Sequence, residues 1–230
     1  MTLVQNEKAF LLHSRKYTDN KIILDLLTEK CGLVSAVLRT TPKKSYGVMP
    51  TQFTQMLASW RGRGELKSLD LFEPEGVSYR LVGSKLYCGF YVNELLMRLL
   101  PRNDPHVPIF ESYIQCLEQL MTQAVSETGL RQFELSLLNI LGYGIDFERD
   151  CHGGRIVSDG DHQYYYVLES GFHLSSGSKR NDTFSGAVLQ AISSGALHDA
   201  EVRLQAKKLC RFVLNNLLGS KPLKSRDFFA

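Results

Sequence analysis

Ala9-Phe10-Leu11-Leu12-His13, Lys21-Ile22-Ile23-Leu24-Asp25-Leu26-Leu27, Gly32-Leu33-Val34-Ser35-Ala36-Val37-Leu38, Phe53-Thr54-Gln55-Met56-Leu57-Ala58-Ser59-Trp60 and Leu66-Lys67-Ser68-Leu69-Asp70-Leu71-Phe72 are five short apolar runs near the start of the chain. Turn residues bound each of them: Thr18-Asp19-Asn20, Cys31-Gly32, Thr41-Pro42 with Tyr46-Gly47, and Arg61-Gly62-Arg63-Gly64. Leu33, Ser35 and Val37, like Leu69 and Leu71, follow the alternation of a strand. Five strands packed so closely leave no room for crossover helices, so the segment reads as a small antiparallel barrel of the oligonucleotide/oligosaccharide-binding (OB) kind. A five-stranded SH3-like barrel satisfies the same periodicity and stays open at this point.

After Pro74 the period changes to that of a helix. Leu81, Leu86, Phe90, Leu95 and Leu99 form a stripe that halts at Pro101; Phe110, Tyr113, Ile114, Leu117, Leu120 and Met121 form a second. Leu130, Phe133, Leu137, Leu138 and Leu141 form a third, closed by Gly142. Tyr164 to Leu168, a Glu169-Ser170-Gly171 turn and Phe172-His173-Leu174 predict a β-hairpin. Phe184, Val188, Leu189 and Ile192, then Val202, Leu209, Phe212, Val213 and Leu217, predict two closing helices. The expected fold is therefore α+β: an OB-type barrel over 1–78, then a mainly helical domain over 79–230 with an irregular β insertion at about 146–182.

With 230 residues, 43% hydrophobic and 22% charged, the chain has the mix of a soluble globular protein. No apolar run approaches the roughly 20 residues of a membrane span, and no signal peptide is read at the N-terminus; a cytoplasmic protein without a membrane partner is expected. The five cysteines are scattered and form no Cys-x-x-Cys pair, so neither a disulfide framework nor a four-thiolate zinc site is written. Cys151, His152 and His162 lack regular ligand spacing, and Asp146, Glu148 and Asp150 fit a solvated edge better than a cation site. No catalytic constellation and no cofactor are indicated.

Net charge is +3, but unevenly spread: residues 1–80 carry 12 Lys/Arg against 8 Asp/Glu, residues 81–175 carry 6 against 12, and residues 176–230 carry 9 against 4. Basic ends suit a polyanion and an acidic middle suits a protein partner. Arg39, Lys43 and Lys44 lie between the third and fourth strands beside Tyr46; Arg61, Arg63 and Lys67 cluster at the next hairpin beside Trp60. Cations that track phosphates, with an aromatic for base stacking, are what single-strand binding requires. Lys207, Lys208 and Arg211, then Lys221, Lys224 and Arg226, form a second basic group near the C-terminus.

Ala9-Phe10-Leu11-Leu12-His13-Ser14-Arg15, Gly62 to Leu69, Tyr91-Val92-Asn93-Glu94-Leu95-Leu96, Leu130-Arg131-Gln132-Phe133-Glu134-Leu135 with Leu141-Gly142-Tyr143-Gly144, and Gly219-Ser220-Lys221-Pro222-Leu223-Lys224-Ser225-Arg226 together resemble the bacterial DNA-repair RecO family over nearly the whole chain. The resemblance implies a nucleoid-associated recombination mediator. It implies binding of single- and double-stranded DNA, annealing of complementary strands, contact with the C-terminal tail of single-strand-binding protein, and cooperation with RecR in loading RecA. It also implies that Arg131, with Leu130 and Phe133, lies at the tail pocket; pairing of Arg131 with Glu127 or Glu134 on its own helix is the other reading. Many members carry four zinc-ligating cysteines near 150–180, whereas this chain has only Cys151 there, so it is similar to a zinc-free branch. The family's Lys-Gly-Ala-Arg run after the third strand is replaced by Leu38-Arg39-Thr40-Thr41. An RNA-binding OB protein and a metal-dependent nuclease using residues 146–162 are the competing functions; comparing affinity for DNA and RNA, and assaying turnover of labelled DNA with magnesium or manganese, would separate them.

Overall fold

A computed structural model describes residues 3–39, 51–122, 126–159, 161–175 and 182–229. Five strands, β1 (Leu3–Thr18), β2 (Lys21–Thr28), β3 (Gly32–Arg39), β4 (Thr54–Arg61) and β5 (Leu66–Ser78), close into a barrel in the order β1-β2-β3-β5-β4. All pairings are antiparallel except β3 with β5, where Ser35, Ala36 and Val37 lie beside Leu66, Lys67 and Ser68. That parallel closure and the β1–β4 pairing give the OB-like order. β1 runs longer than its apolar stretch because it serves two partners: Leu3 to Phe10 face β4, and Ala9 to Thr18 face β2.

The barrel interior is Ala9, Leu11, Leu24, Leu26, Val34, Ala36, Leu38, Met56, Ala58, Trp60, Leu69 and Phe72. The alternate residues of β2 and β3 point outward yet are buried too: Ile23, Asp25, Leu27, Leu33 and Ser35. This explains the unbroken apolar run of β2, which has no solvent face to fill with polar residues. The chain after the first helix covers this outer wall: Arg102 bridges to Leu33, and the Asn103 N–H donates to the Leu33 carbonyl at 3.0 Å. Gly32 is required beneath it, since it sits at φ 71° and a Cβ there would collide with the Asp104 carbonyl.

The helices α1 (Ser84–Leu99) and α2 (Val107–Thr122) belong to the same compact unit as the barrel, Met1–Ser126 with Leu223–Ala230. Phe10 points out of β1 into the rings of Tyr79, Phe110 and Tyr113. The Asn93 amide donates to the Leu12 carbonyl at 3.1 Å and accepts from the Tyr113 hydroxyl at 2.8 Å. Compactness thus divides the chain elsewhere than the change of sequence period at residue 79.

The second unit, Glu127–Pro222, is built from α3 (Ser126–Ile140), a three-stranded sheet in the order β7 (Gly171–Leu174), β6 (Gln163–Val167), β8 (Thr183–Ser185), and the helices α4 (Gly186–Ser193) and α5 (Ala200–Leu218). The expected hairpin is present. Phe184, expected on a helix, instead lies in β8, and the helix begins only at Gly186, whose backbone packs so closely on the Val157 carbonyl that no side chain fits. Ser185 caps α4 through Val188 N–H, and Asp199 caps α5 through Glu201 and Val202. Ile156, Tyr164, Phe172, Phe184, Leu189 and Leu209 form one core cluster of this unit.

Candidate nucleic-acid interface

Among the described residues, the burial of the β2–β3 wall decreases toward the end that carries Lys21 and Arg39. Lys21 and Arg39 are direct cross-strand partners at this end, Lys21 half-buried and Arg39 exposed. Like charges directly opposed across a pair destabilise it, so the fold keeps a repulsive pair that an anion would relieve. Lys16 and Tyr17 stand at the neighbouring β1–β2 turn, and the Tyr17 ring is 55% exposed. Lys21 and Tyr17 were not candidates from sequence; the Lys16-Tyr17 dipeptide beside a turn was the available signal.

Around the β4–β5 hairpin the expected cluster is brought together. Arg61 pairs with Asp70 at 2.8 Å while half exposed, Arg63 is exposed, and the Lys67 ammonium donates to the Gly64 carbonyl at 2.8 Å. Trp60, expected as a stacking surface beside them, is 2% exposed inside the barrel, because it falls on the inward register of β4 with Met56 and Ala58. Lys43, Lys44 and Tyr46 lie outside the described residues.

The C-terminal basic group divides between the two units. Lys207, Lys208, Arg211 and Lys221 belong to the second; Lys224 and Arg226 belong to the first. Lys207 pairs with Glu127 at 2.8 Å, which holds the Glu127 carboxyl below the usual range, and Lys208 is exposed. In Lys221-Pro222-Leu223-Lys224-Ser225-Arg226 the uncharged positions have structural work. Leu223 is buried, and the Glu94 carboxylate on α1 accepts from the Lys224 N–H at 3.0 Å, the Ser225 N–H at 2.8 Å and the Ser225 hydroxyl at 2.6 Å. Burial raises the Glu94 pKa, but these bonds outweigh it and the net shift is downward. Glu94 thereby caps a 3₁₀ helix over Lys224–Phe229, and Phe228 stacks on Tyr87 of α1 at 5.0 Å.

Arg131 is not on an exposed rim. Its side chain is 5% exposed and its guanidinium pairs with Glu134 at 2.7 Å, one turn along α3; Leu130 and Phe133 are buried as well. Glu134 in turn accepts from the Cys210 thiol of α5, whose pKa burial pushes well up. The helix-internal pairing is therefore the geometry found.

The acidic segment is committed to turns. Asp146 accepts from the Glu148 and Arg149 N–H groups at 2.8 and 3.1 Å, and Asp150 accepts from those of His152 and Gly154 at 2.9 and 2.8 Å. Cys151 Sγ lies 3.1 Å from Nδ1 of His173, whose Nε2 meets the Ser170 hydroxyl at 2.8 Å. One thiol with neighbouring imidazoles does not supply a closed structural zinc site, and no group of three or more His, Cys, Asp or Glu among the described residues is disposed to hold a metal. Elemental analysis of protein purified without added metal should find well under one zinc per chain; stoichiometric zinc lost on changing Cys151 or His173 would contradict this.

Residues 1–76 match the family described as Recombination protein O N terminal, and residues 80–227 match Recombination protein O C terminal. The chain belongs to the RecO family. It is similar to DNA repair protein RecO of Pseudoalteromonas translucida, 38% identical over 225 residues covering 97% of this chain and 96% of the relative. DNA repair protein RecO of Coxiella burnetii is 40% identical over 223 residues, 96% of each chain. That of Actinobacillus succinogenes is 37% identical over 233 residues, 100% of this chain and 97% of the relative. The RecO-like motif residues Asn93, Glu94, Leu223 and Ser225 are those that tie helices and C-terminus to the barrel unit. No helix among the described residues is long and apolar enough to cross a membrane.

Proposed function

We propose that this RecO chain is a non-enzymatic recombination mediator that holds single- and double-stranded DNA, anneals complementary strands, and works with single-strand-binding protein and RecR to help load RecA. The observation that carries the reading is the end of the β2–β3 pair in the OB-like barrel, where Lys21 and Arg39 are cross-strand partners and Tyr17 nearby is exposed. Neighbouring cations with an exposed aromatic beside them supply phosphate neutralisation and base stacking without reading sequence. Arg61, Arg63 and Lys67 extend the positive surface of the same barrel, and Lys43 and Lys44 add charge to the β3–β4 connection. Lys207, Lys208, Arg211, Lys221 and Lys224 offer further phosphate contacts, which suits a protein that holds two strands, whereas Arg226, expected with them, has its Nε and Nη2 buried.

The proposed protein partner is the acidic, apolar-ended tail of single-strand-binding protein. A carboxylate leaving water needs a charge-assisted partner, so its receptor combines an apolar groove with a cation. A mobility-shift experiment tests both halves of the reading. Naked single-stranded DNA should be shifted by the chain, and DNA coated with single-strand-binding protein should recruit it only when the tail is present. Equal recruitment with and without the tail would remove the partner, and no shift of naked DNA would remove the DNA function.

A further inference from the structure

We propose that the Arg149–Arg155 ribbon of the second unit binds a phosphodiester of a nucleic-acid backbone, a second DNA contact that rests on the DNA-binding reading above. Residues 148–156 form a tight ribbon: the Ile156 N–H donates to the Glu148 carbonyl at 2.8 Å, and the Asp150 N–H donates to the Gly154 carbonyl at 2.8 Å. Between these two bonds Arg149 and Arg155 stand directly opposite each other. Directly opposed side chains share one face and lie close, and like charges there are repulsive.

Among the described residues no carboxylate forms an ion pair with either arginine, and Glu148 beside them offsets one of the two charges. Asp146 and Asp150 are spent on backbone N–H groups of the turns. Both arginines are exposed, and among the described residues neither has an ion-pair partner. Both line a cavity of about 480 Å³ whose wall also includes Glu148, Gln190, Ser193 and Ser194. Two guanidinium forks are suited to the paired oxygens of a phosphate.

Charge selects among phosphates. Glu148 reduces the lining from two positive charges to a net of one, and the carboxyl end of α4 at Ser193 and Ser194 adds a partial negative charge. A singly charged diester balances that net charge, whereas the dianion of a free phosphate monoester leaves a negative excess beside Glu148 and the end of α4. The pair was hidden in the sequence because it sits in the stretch of the chain whose net charge is negative.

The test uses the full chain and a fluorescent oligothymidylate, with affinity read by anisotropy across a salt series. Arg149→Ala with Arg155→Ala should weaken binding at about 50 mM salt and lower the slope of log K against log salt by about 0.7 for each lost contact, roughly 1.4 in all. The paired Lys replacements should keep the slope, because they keep the charge, while binding more weakly. The thermal midpoint of the Ala variant at low salt should equal or exceed that of the parent, since a repulsion has been removed. Wild-type binding with an unchanged affinity and slope in the Ala variant would overturn the site alone; a wild-type chain that binds no DNA would overturn the functional reading and this site together. Titration with inorganic phosphate and with thymidine monophosphate separates the sources: saturable binding of either at these arginines, without an effect on DNA, would overturn the diester assignment.

Discussion

Replacing Arg131 by Ala should destabilise the fold by about 3–5 kcal/mol, the cost of leaving a buried charge without its partner. Glu134 is wholly buried and sits 2.7 Å from the guanidinium, and it also accepts from the Cys210 thiol. Once Arg131 is removed, its carboxylate stays in the core between α3 and α5. Replacing Arg131 and Glu134 together by Leu should recover most of the loss, because an apolar pair of similar volume carries no desolvation cost. Urea unfolding of the single and double variants measures both. The same proteins decide the role of this arginine toward a partner: loss of tail-peptide binding by a fully stable Arg131→Ala chain would return it to a tail pocket. Loss of stability rescued by the double replacement identifies it as a core residue.

Asp25 should make stability fall in acid, and Asp25→Ala should remove that dependence. Its carboxylate is fully buried in the barrel wall. It accepts from the Ser35 hydroxyl and from Arg15, and from Arg102 at 3.1 Å. Burial raises its pKa, but the Ser35 bond and the charges of Arg15 and Arg102 outweigh it, and the net shift is downward. A carboxyl with a lowered folded pKa binds its proton more readily when unfolded. Its stabilisation is therefore complete above the ordinary aspartate value near 4 and is lost as pH falls through the lower folded value. Near pH 7 the Ala variant should be weaker by about 1.5–3 kcal/mol, the worth of hydrogen bonds to a charged group. The two guanidinium groups left behind are 46% and 37% exposed and can hydrate, which limits the loss. The gap between parent and variant should narrow as pH drops below about 4; a gap constant with pH would contradict the assignment.

The barrel was legible because five β-rich runs stood between turn residues, and a strand pattern needs little more. Its closure was not, since the parallel β3–β5 pairing and the double duty of β1 are long-range choices that periodicity does not encode. Trp60 shows the same limit within one residue: basic neighbours suggested a stacking surface, but the inward register of β4 decided its place. The basic C-terminal segment was visible as charge, whereas its anchor, Glu94, lies some 130 residues earlier in the chain. A three-residue strand such as β8 has too few positions for a period. Arg131 was different: Glu134 at i+3 was in plain view, and what the sequence could not tell was that the pair is buried.

The central claim is that the cations at the strand ends and hairpin of the barrel neutralise DNA phosphates, and the salt dependence of single-strand binding tests it most directly. In a variant with Lys21, Arg39, Arg61 and Arg63 all changed to Glu, the slope of log K against log salt should fall by about 0.7 for each contact, roughly 2.8 in total. Circular dichroism should report an intact barrel, since all four positions lie at strand ends or in the hairpin. A slope and affinity equal to those of the parent, in a folded variant, would contradict the account and move the DNA off this face.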